Sequence, residues 1–291
     1  MIKTIFVVGA GLMGSGIAQV AAQGGYRVVM HDLNDQILQK GMESIKNSLE
    51  RFAKKGKISE GEVSEIINRI ETTTDLTKAA EAELVIEAVF ENLEIKKDVF
   101  SKLDNICKPE AILATNTSAL SITKIAAATN RPEQVVGMHF FSPVPMMKLV
   151  EIIKGVRTAD TTVAIVKEVA KQMGKEPVVA GKDFGGFIAN RVALPYMRMA
   201  IVVLTEGIAS KEEIDQAMRL GYGFPMGPLE LADLTGLDVL LHSLEGIYND
   251  LQDPAYAPPP LLKRMVEAGL LGRKTGQGFY RYDAQGKRLP D

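Results

Sequence analysis

Ile5-Phe6-Val7-Val8-Gly9-Ala10-Gly11-Leu12-Met13-Gly14-Ser15-Gly16 joins four consecutive apolar residues to a G-x-G-x-x-G run. The apolar residues predict a strand buried on both faces. Ile17, Val20 and Ala21 continue at helical spacing, so the glycines lie between a strand and a helix, the context in which the motif carries meaning. Gly9 permits the tight turn, Gly11 lets the backbone approach a pyrophosphate, and Gly14 lets the helix pack closely on the strand. The free N–H groups at the helix start and the positive end of its dipole attract phosphate. A second apolar run, Arg27-Val28-Val29-Met30-His31, ends in Asp32, 23 residues after Gly9 and where a ribose-binding carboxylate belongs. The stretch therefore predicts dinucleotide binding rather than a glycine turn kept only for packing.

The chain has 291 residues, enough for two domains, and its 46% hydrophobic and 24% charged fractions are those of an ordinary globular protein. A net charge of −2 gives no electrostatic case for nucleic acid or an acidic membrane surface. No apolar run approaches the ~20 residues that span a bilayer. Cys107 is the only cysteine, which excludes an internal disulfide and fits a reducing compartment. The three histidines are too scattered for a metal site, so no metal is expected. Core sequence starts at Ile5, so no signal peptide is expected and the expected location is cytoplasmic.

Beyond Asp32, Ile37, Leu38, Met42, Ile45, Leu49 and Phe52 predict a helix ending at the basic tip Lys54-Lys55-Gly56-Lys57. Ser59-x-x-Glu62 is a capping box for a second helix through Ile70, which makes a helical-hairpin insertion at about 35–70. Arg51 and Lys55 share a helix face at i, i+4 and suit either a solvated tip or a phosphate-bearing substrate tail. Leu84–Val89 and Ala111–Ala114 predict further buried strands, with Glu91 and Lys96 following the first and Thr115-Asn116-Thr117-Ser118 the second. Both groups fall at the edge where open α/β sheets bind ligands, although Lys96 also suits a plain helix-surface cation. Ser121 is a good N-cap, which leaves Ser118 free for a ligand. These alternating segments predict an α/β fold, a Rossmann-type doubly wound sheet. The glycines at 181, 185 and 186 interrupt the pattern, and helices follow: Phe187 to Gly207, one through Ile214 and Met218, Leu229 to Tyr248, and Leu261 to Leu270. The expected division is a dinucleotide-binding domain at 1–183 and an all-α C-terminal domain at 184–291. The first of these helices is apolar nearly all round and is expected to be buried; a homodimer is the common way to cover so much apolar surface.

His139 ends the strand that begins at Val135, and Glu151 lies 12 residues on in the strand 149–153. Should those strands pair, the carboxylate would accept an imidazole N–H, fix the tautomer and stabilise an imidazolium. His31 and His242 are expected to be a strand residue beside the cofactor and a helix residue of the second domain.

Over essentially its whole length the sequence resembles the short-chain L-3-hydroxyacyl-CoA dehydrogenases, of the bacterial 3-hydroxybutyryl-CoA dehydrogenase type. The likeness rests on 9–19 with its glycines, Asn116-Thr117-Ser118, Met138-His139-Phe140-Phe141-Ser142-Pro143 and Gly186-Phe187-Ile188-Ala189-Asn190-Arg191. It continues through Met226-Gly227-Pro228-Leu229-Glu230-Leu231 and 271–280. The resemblance implies NAD-dependent interconversion of (S)-3-hydroxyacyl-CoA and 3-oxoacyl-CoA. His139 would be the general base and Glu151 would orient it, while Ser118 and Asn190 would bond the substrate. Gly9, Gly11, Leu12, Met13, Gly14, Asp32, Glu91, Lys96, Asn116 and Ser118 would line the cofactor, and Arg51 and Lys55 would lie near the CoA phosphates. The C-terminal helices would carry substrate contacts and the homodimer.

The sequence makes three departures from the family pattern: Ser142 replaces asparagine, Gly185 replaces proline, and Arg198-Met199 replaces an asparagine–glutamate pair. The other readings are a dehydrogenase of a free 3-hydroxyacid, such as a sugar acid or carnitine, and a non-catalytic dinucleotide-binding protein. Asp32 should repel the 2′-phosphate of NADP, with no basic residue immediately beside it to neutralise the charge. Turnover with NADH is accordingly expected to exceed that with NADPH at matched subsaturating concentrations, and equal rates would overturn that assignment.

Overall fold

The structure, a computed structural model, describes Ile2 to Pro290. The chain divides into two compact units, Met1–Phe187 and Ile188–Asp291. In the first unit the order is β1 (Thr4–Val8), α1 (Leu12–Gln23), β2 (Arg27–His31), α2 (Asp35–Lys54), α3 (Glu60–Asn68) and β3 (Ile70–Thr73). It continues with β4 (Leu84–Glu87), α4 (Leu93–Ile106), β5 (Ile112–Thr115), α5 (Ile122–Ala126), β6 (Val135–Phe140), β7 (Leu149–Ile153), α6 (Asp160–Gln172) and β8 (Glu176–Ala180).

Among the described residues the strands form one sheet in the order β3-β2-β1-β4-β5-β6-β7-β8. Every neighbouring pair is parallel except β6 with β7. Successive strands run outward from β1 in one direction and from β4 in the other, so the switch point lies between β1 and β4. Helices cover both faces, which is why the central strands read as unbroken apolar runs. Ile5 and Val7 pack with Ile17, Val20, Ile45 and Leu49 on one face. Phe6 and Val8 pack with Phe100, Leu103, Ile122 and Ile125 on the other. Each such side chain contributes roughly 1.5–3 kcal/mol of transfer free energy.

The insertion between β2 and β3 forms as the capping box predicts. Ser59 Oγ accepts from the Glu62 N–H at 3.2 Å, and Glu62 Oε2 accepts from the Ser59 N–H at 2.7 Å. Ile70 does not continue that helix; it opens β3, whose only neighbour among the described residues is β2. An edge strand with one neighbour needs no apolar run, so Ile70-Glu71-Thr72-Thr73 shows no strand pattern. The other edge, β8, is equally hidden, because Pro177 and the part-exposed Val178 and Val179 break the expected signal.

The second unit holds α7 (Ala189–Thr205), α8 (Lys211–Tyr222), α9 (Pro228–Thr235), α10 (Leu237–Leu251) and α11 (Pro260–Glu267). The expected helical region at 229–248 is two helices, divided at Gly236 with φ +99°. On α7, Leu194, Met197, Ala200 and Ile201 face this unit's core, whereas within the single chain Val192 is 71% and Met199 52% exposed. Two buried carboxylates organise this unit. Asp215 accepts from the N–H groups of Leu229 and Glu230, and Asp233 from those of Phe279 and Tyr280. Burial pushes both carboxyls above the usual range. The motifs at 226–231 and 271–280 are thus the backbone wrapping of these two acids, and Gly278 lies so close to Asp233 that a side chain there would collide with its carboxylate.

Candidate active site

The antiparallel pairing of β6 and β7 places His139 directly opposite Glu151. Facing residues of an antiparallel pair have Cβ atoms about 4.5–5.5 Å apart, close enough for a histidine and a glutamate to meet. His139 Nδ1 and Glu151 Oε2 lie 2.7 Å apart, and both side chains are buried. A carboxylate only accepts, so Nδ1 carries the proton and Nε2 is the nitrogen left for proton exchange. Aromatic rings confine the imidazole: Phe141 at 4.4 Å between centroids and Phe187, edge-on, at 5.8 Å. Phe187 holds a left-handed backbone, φ +49°, directly after Gly186 at φ +78°.

The carboxyl ends of β4 and β5 form the adjoining edge. Asn116 Oδ1 accepts from the Phe140 N–H at 2.9 Å and ties the end of β5 to the strand carrying His139. Glu91 Oε1 accepts from Thr117 Oγ1 at 2.5 Å and from the N–H groups of Ser118 and Ala119 at 2.8 and 3.2 Å, which fixes the turn presenting Ser118. The reading of Lys96 as a surface cation is corrected. Its side chain is 1% exposed, and Nζ donates to Glu87 Oε1 at 2.7 Å and faces Glu91 Oε2 at 3.3 Å. Glu87 is itself fully buried and accepts from Thr115 Oγ1 through its second oxygen at 2.7 Å. Lys96 is thus the cation of an interior ion pair that anchors Glu91.

The glycine turn is open where a dinucleotide requires it. Gly9 adopts φ +100°, and a Cβ there would press on the Ala88 carbonyl; a Cβ on Gly14 would strike the Gly9 carbonyl. At Gly11, by contrast, a Cβ would meet nothing, so that side of the turn is free for a ligand. Among the described residues no side chain caps α1, which leaves its first amides for an anion; Leu12 is exposed there and Met13 half-buried. Asp32 accepts from the Ala10 N–H through Oδ2 and from the Leu33 N–H through Oδ1, both at 2.8 Å, which holds its carboxylate beside the glycine turn. This set fits a dinucleotide with an unmodified ribose. His31 is buried at the end of β2, where burial lowers its pKa.

Arg51 and Lys55 are exposed at the end of α2, one turn apart, and Arg51 Nε donates to the Asn47 carbonyl. Asn190 stands in the first turn of α7, in the second unit. His242 lies in α10. Sequence reasoning missed Glu87, Phe141 and Phe187 as parts of this site. An acid ending an apolar strand was the available signal for Glu87, and the Gly185-Gly186 pair for the unusual backbone of Phe187.

Residues 4–184 match the 3-hydroxyacyl-CoA dehydrogenase NAD binding domain, and residues 186–282 match the C-terminal domain of the same enzymes. The chain belongs to the 3-hydroxyacyl-CoA dehydrogenase family. Its relatives include a probable 3-hydroxybutyryl-CoA dehydrogenase of Bacillus subtilis, 50% identical across 97% of this chain and 98% of that protein. The 3-hydroxybutyryl-CoA dehydrogenase of Clostridioides difficile is 46% identical across 95% of this chain and 98% of that one. The crystal structure of the (S)-3-hydroxybutyryl-CoA dehydrogenase of Ralstonia eutropha superposes with a TM-score of 0.94 at 46% identity, covering 97% of this chain and all of that one. The NAD of this family agrees with the fit of the glycine turn and Asp32.

Removing one partner of a buried ion pair leaves an uncompensated charge, at a cost of about 3–5 kcal/mol. Lys96→Met, which strands Glu87, is expected to lower unfolding free energy in urea by that amount. A loss below about 1 kcal/mol would show that the pair is not the buried anchor described.

Proposed function

We propose that the chain catalyses the reversible NAD-dependent oxidation of (S)-3-hydroxyacyl-CoA, with 3-hydroxybutyryl-CoA as its substrate, to the 3-oxoacyl-CoA. The observation that carries this reading is the buried His139–Glu151 pair at the carboxyl edge of a dinucleotide-binding sheet. Gly9, Gly11, Gly14, Leu12 and Met13 would hold the pyrophosphate and Asp32 the adenosine ribose, with Glu91, Asn116 and Ser118 along the remainder and the buried Lys96 acting through Glu91 rather than touching the cofactor. When bound, NAD supplies the carbon that accepts a hydride from C3 of the substrate. His139 takes the proton of the 3-hydroxyl at Nε2 as the C3–O bond becomes a carbonyl, and returns it in the reverse direction. Glu151 holds the imidazole in the productive tautomer and stabilises the imidazolium that proton uptake creates. Ser118 hydrogen-bonds the oxygen that changes hybridisation and orients C3, and the family likeness would give Asn190 a substrate hydrogen bond of its own.

We assign NAD binding to residues 1–183 and substrate contact and dimerisation to 184–291; the two family matches, 4–184 and 186–282, support a division at that point. Exposed Val192 and Met199 on α7, with Leu220 and Tyr222 on α8, support a homodimer formed through the helical unit. Arg51 and Lys55 suit the phosphates of CoA. No helix among the described residues is long and apolar enough to cross a membrane, and the lone buried Cys107 suits a reducing cytoplasm.

The test is NADH oxidation with acetoacetyl-CoA beside free acetoacetate. Turnover confined to the thioester is expected; turnover of the free acid alone would overturn the reading. His139→Gln should lower kcat roughly 10²–10⁴-fold with NADH affinity little changed, and near-normal turnover would remove His139 from the mechanism.

A further inference from the structure

Lys175, just ahead of β8, is only 7% exposed, yet among the described residues it pairs with no carboxylate. Its Nζ donates instead to two backbone carbonyls, Val144 at 2.5 Å and Met147 at 2.8 Å. A cation withdrawn from water is tolerated only when hydrogen-bonded, and burial pushes this ammonium down to about 8. Both carbonyls belong to residues 141–148, the connection that leaves the His139 strand and returns as the Glu151 strand. Within that connection the Pro143 carbonyl accepts from the N–H groups of Met146 and Met147. Gly16 of α1 also admits Val144 so closely that a Cβ there would lie 2.8 Å from the Val144 Cβ. The connection is therefore held both by packing on the helix of the glycine turn and by Lys175, and it leaves Ser142, Met146 and Met147 exposed.

We propose that Lys175 is a positioning residue of the reaction: its ammonium holds residues 141–148 in the shape that presents Ser142, Met146 and Met147 to the acyl thioester and keeps His139 opposite Glu151. A single tetrahedral nitrogen with several N–H donors can serve both carbonyls from a buried position, whereas an apolar side chain of the same length would strand them. The proposal rests on the acyl-CoA reading above and adds a residue and a substrate-facing segment to it.

Lys175→Met and Lys175→Arg are compared with the wild type in acetoacetyl-CoA kinetics, NADH binding by fluorescence titration, and amide hydrogen exchange. In Lys175→Met, kcat/KM for acetoacetyl-CoA is expected to fall at least about tenfold, mostly in KM, with NADH affinity within about twofold of wild type. Exchange at the Met146 and Met147 amides should quicken, and the arginine variant should recover part of kcat/KM. A folded Lys175→Met with thioester kinetics within about twofold of wild type would overturn the proposal. So would a thioester defect matched by an equal loss of NADH binding, the signature of a merely structural role. A readout independent of any variant is exchange in the wild-type enzyme: acetoacetyl-CoA should slow the 146–147 amides, and no change there would also overturn it. A wild type inert toward acetoacetyl-CoA would instead sink the acyl-CoA reading itself, which keeps the two failures apart.

Discussion

His139 and Glu151 meet because β7 runs against β6 in a sheet that is parallel elsewhere. A parallel neighbour needs a crossover of a dozen or more residues, whereas an antiparallel one returns through a short connection. Here residues 141–148 suffice, and the reversal sets a histidine and a glutamate face to face at 2.7 Å. The register tolerates no slip. Moving β7 by one residue would turn Glu151 to the other side of the sheet and leave both polar groups buried without each other. Apolar contacts enforce that register, since Val150 and Ile152 are fully buried on either side of Glu151.

Around this pair the fold places charge where water does not reach. Glu87 and Lys96 form an interior pair at the end of β4, and Glu91 extends it to the turn carrying Ser118. Lys175 is satisfied by carbonyls alone. Such groups are costly to bury unless each finds a partner, so their surroundings are held rigidly. That rigidity suits a reaction in which a proton and a hydride leave neighbouring atoms of one substrate, where small misplacements lower the rate steeply.

The sheet's interior was legible in the sequence because buried parallel strands appear as short apolar runs, and Ile5–Val8, Leu84–Ile86 and Ile112–Ala114 all have that form. Its edges were not. Ile70-Glu71-Thr72-Thr73 and Glu176-Pro177-Val178-Val179-Ala180 each have a single neighbouring strand, so selection for burial leaves no pattern in them. At the site, the meeting of His139 with Glu151 was legible because two apolar strands separated by a short loop are natural antiparallel partners. The burial of Lys96 was not, since a lysine in a helix carries no mark of the Glu87 beneath it. Helix α7 is apolar nearly all round, and only part of it faces the core of its own unit.

In the proposed reaction His139 and Glu151 act as one catalytic unit. The most direct measurement is kcat with acetoacetyl-CoA and saturating NADH for His139→Gln, Glu151→Gln and the double variant. Residues that act as a unit lose their function together, so the double variant should be no slower than the worse single one, within about threefold. Losses that multiply, with the double variant slower by the product of the two single effects, would show instead that the two residues work independently.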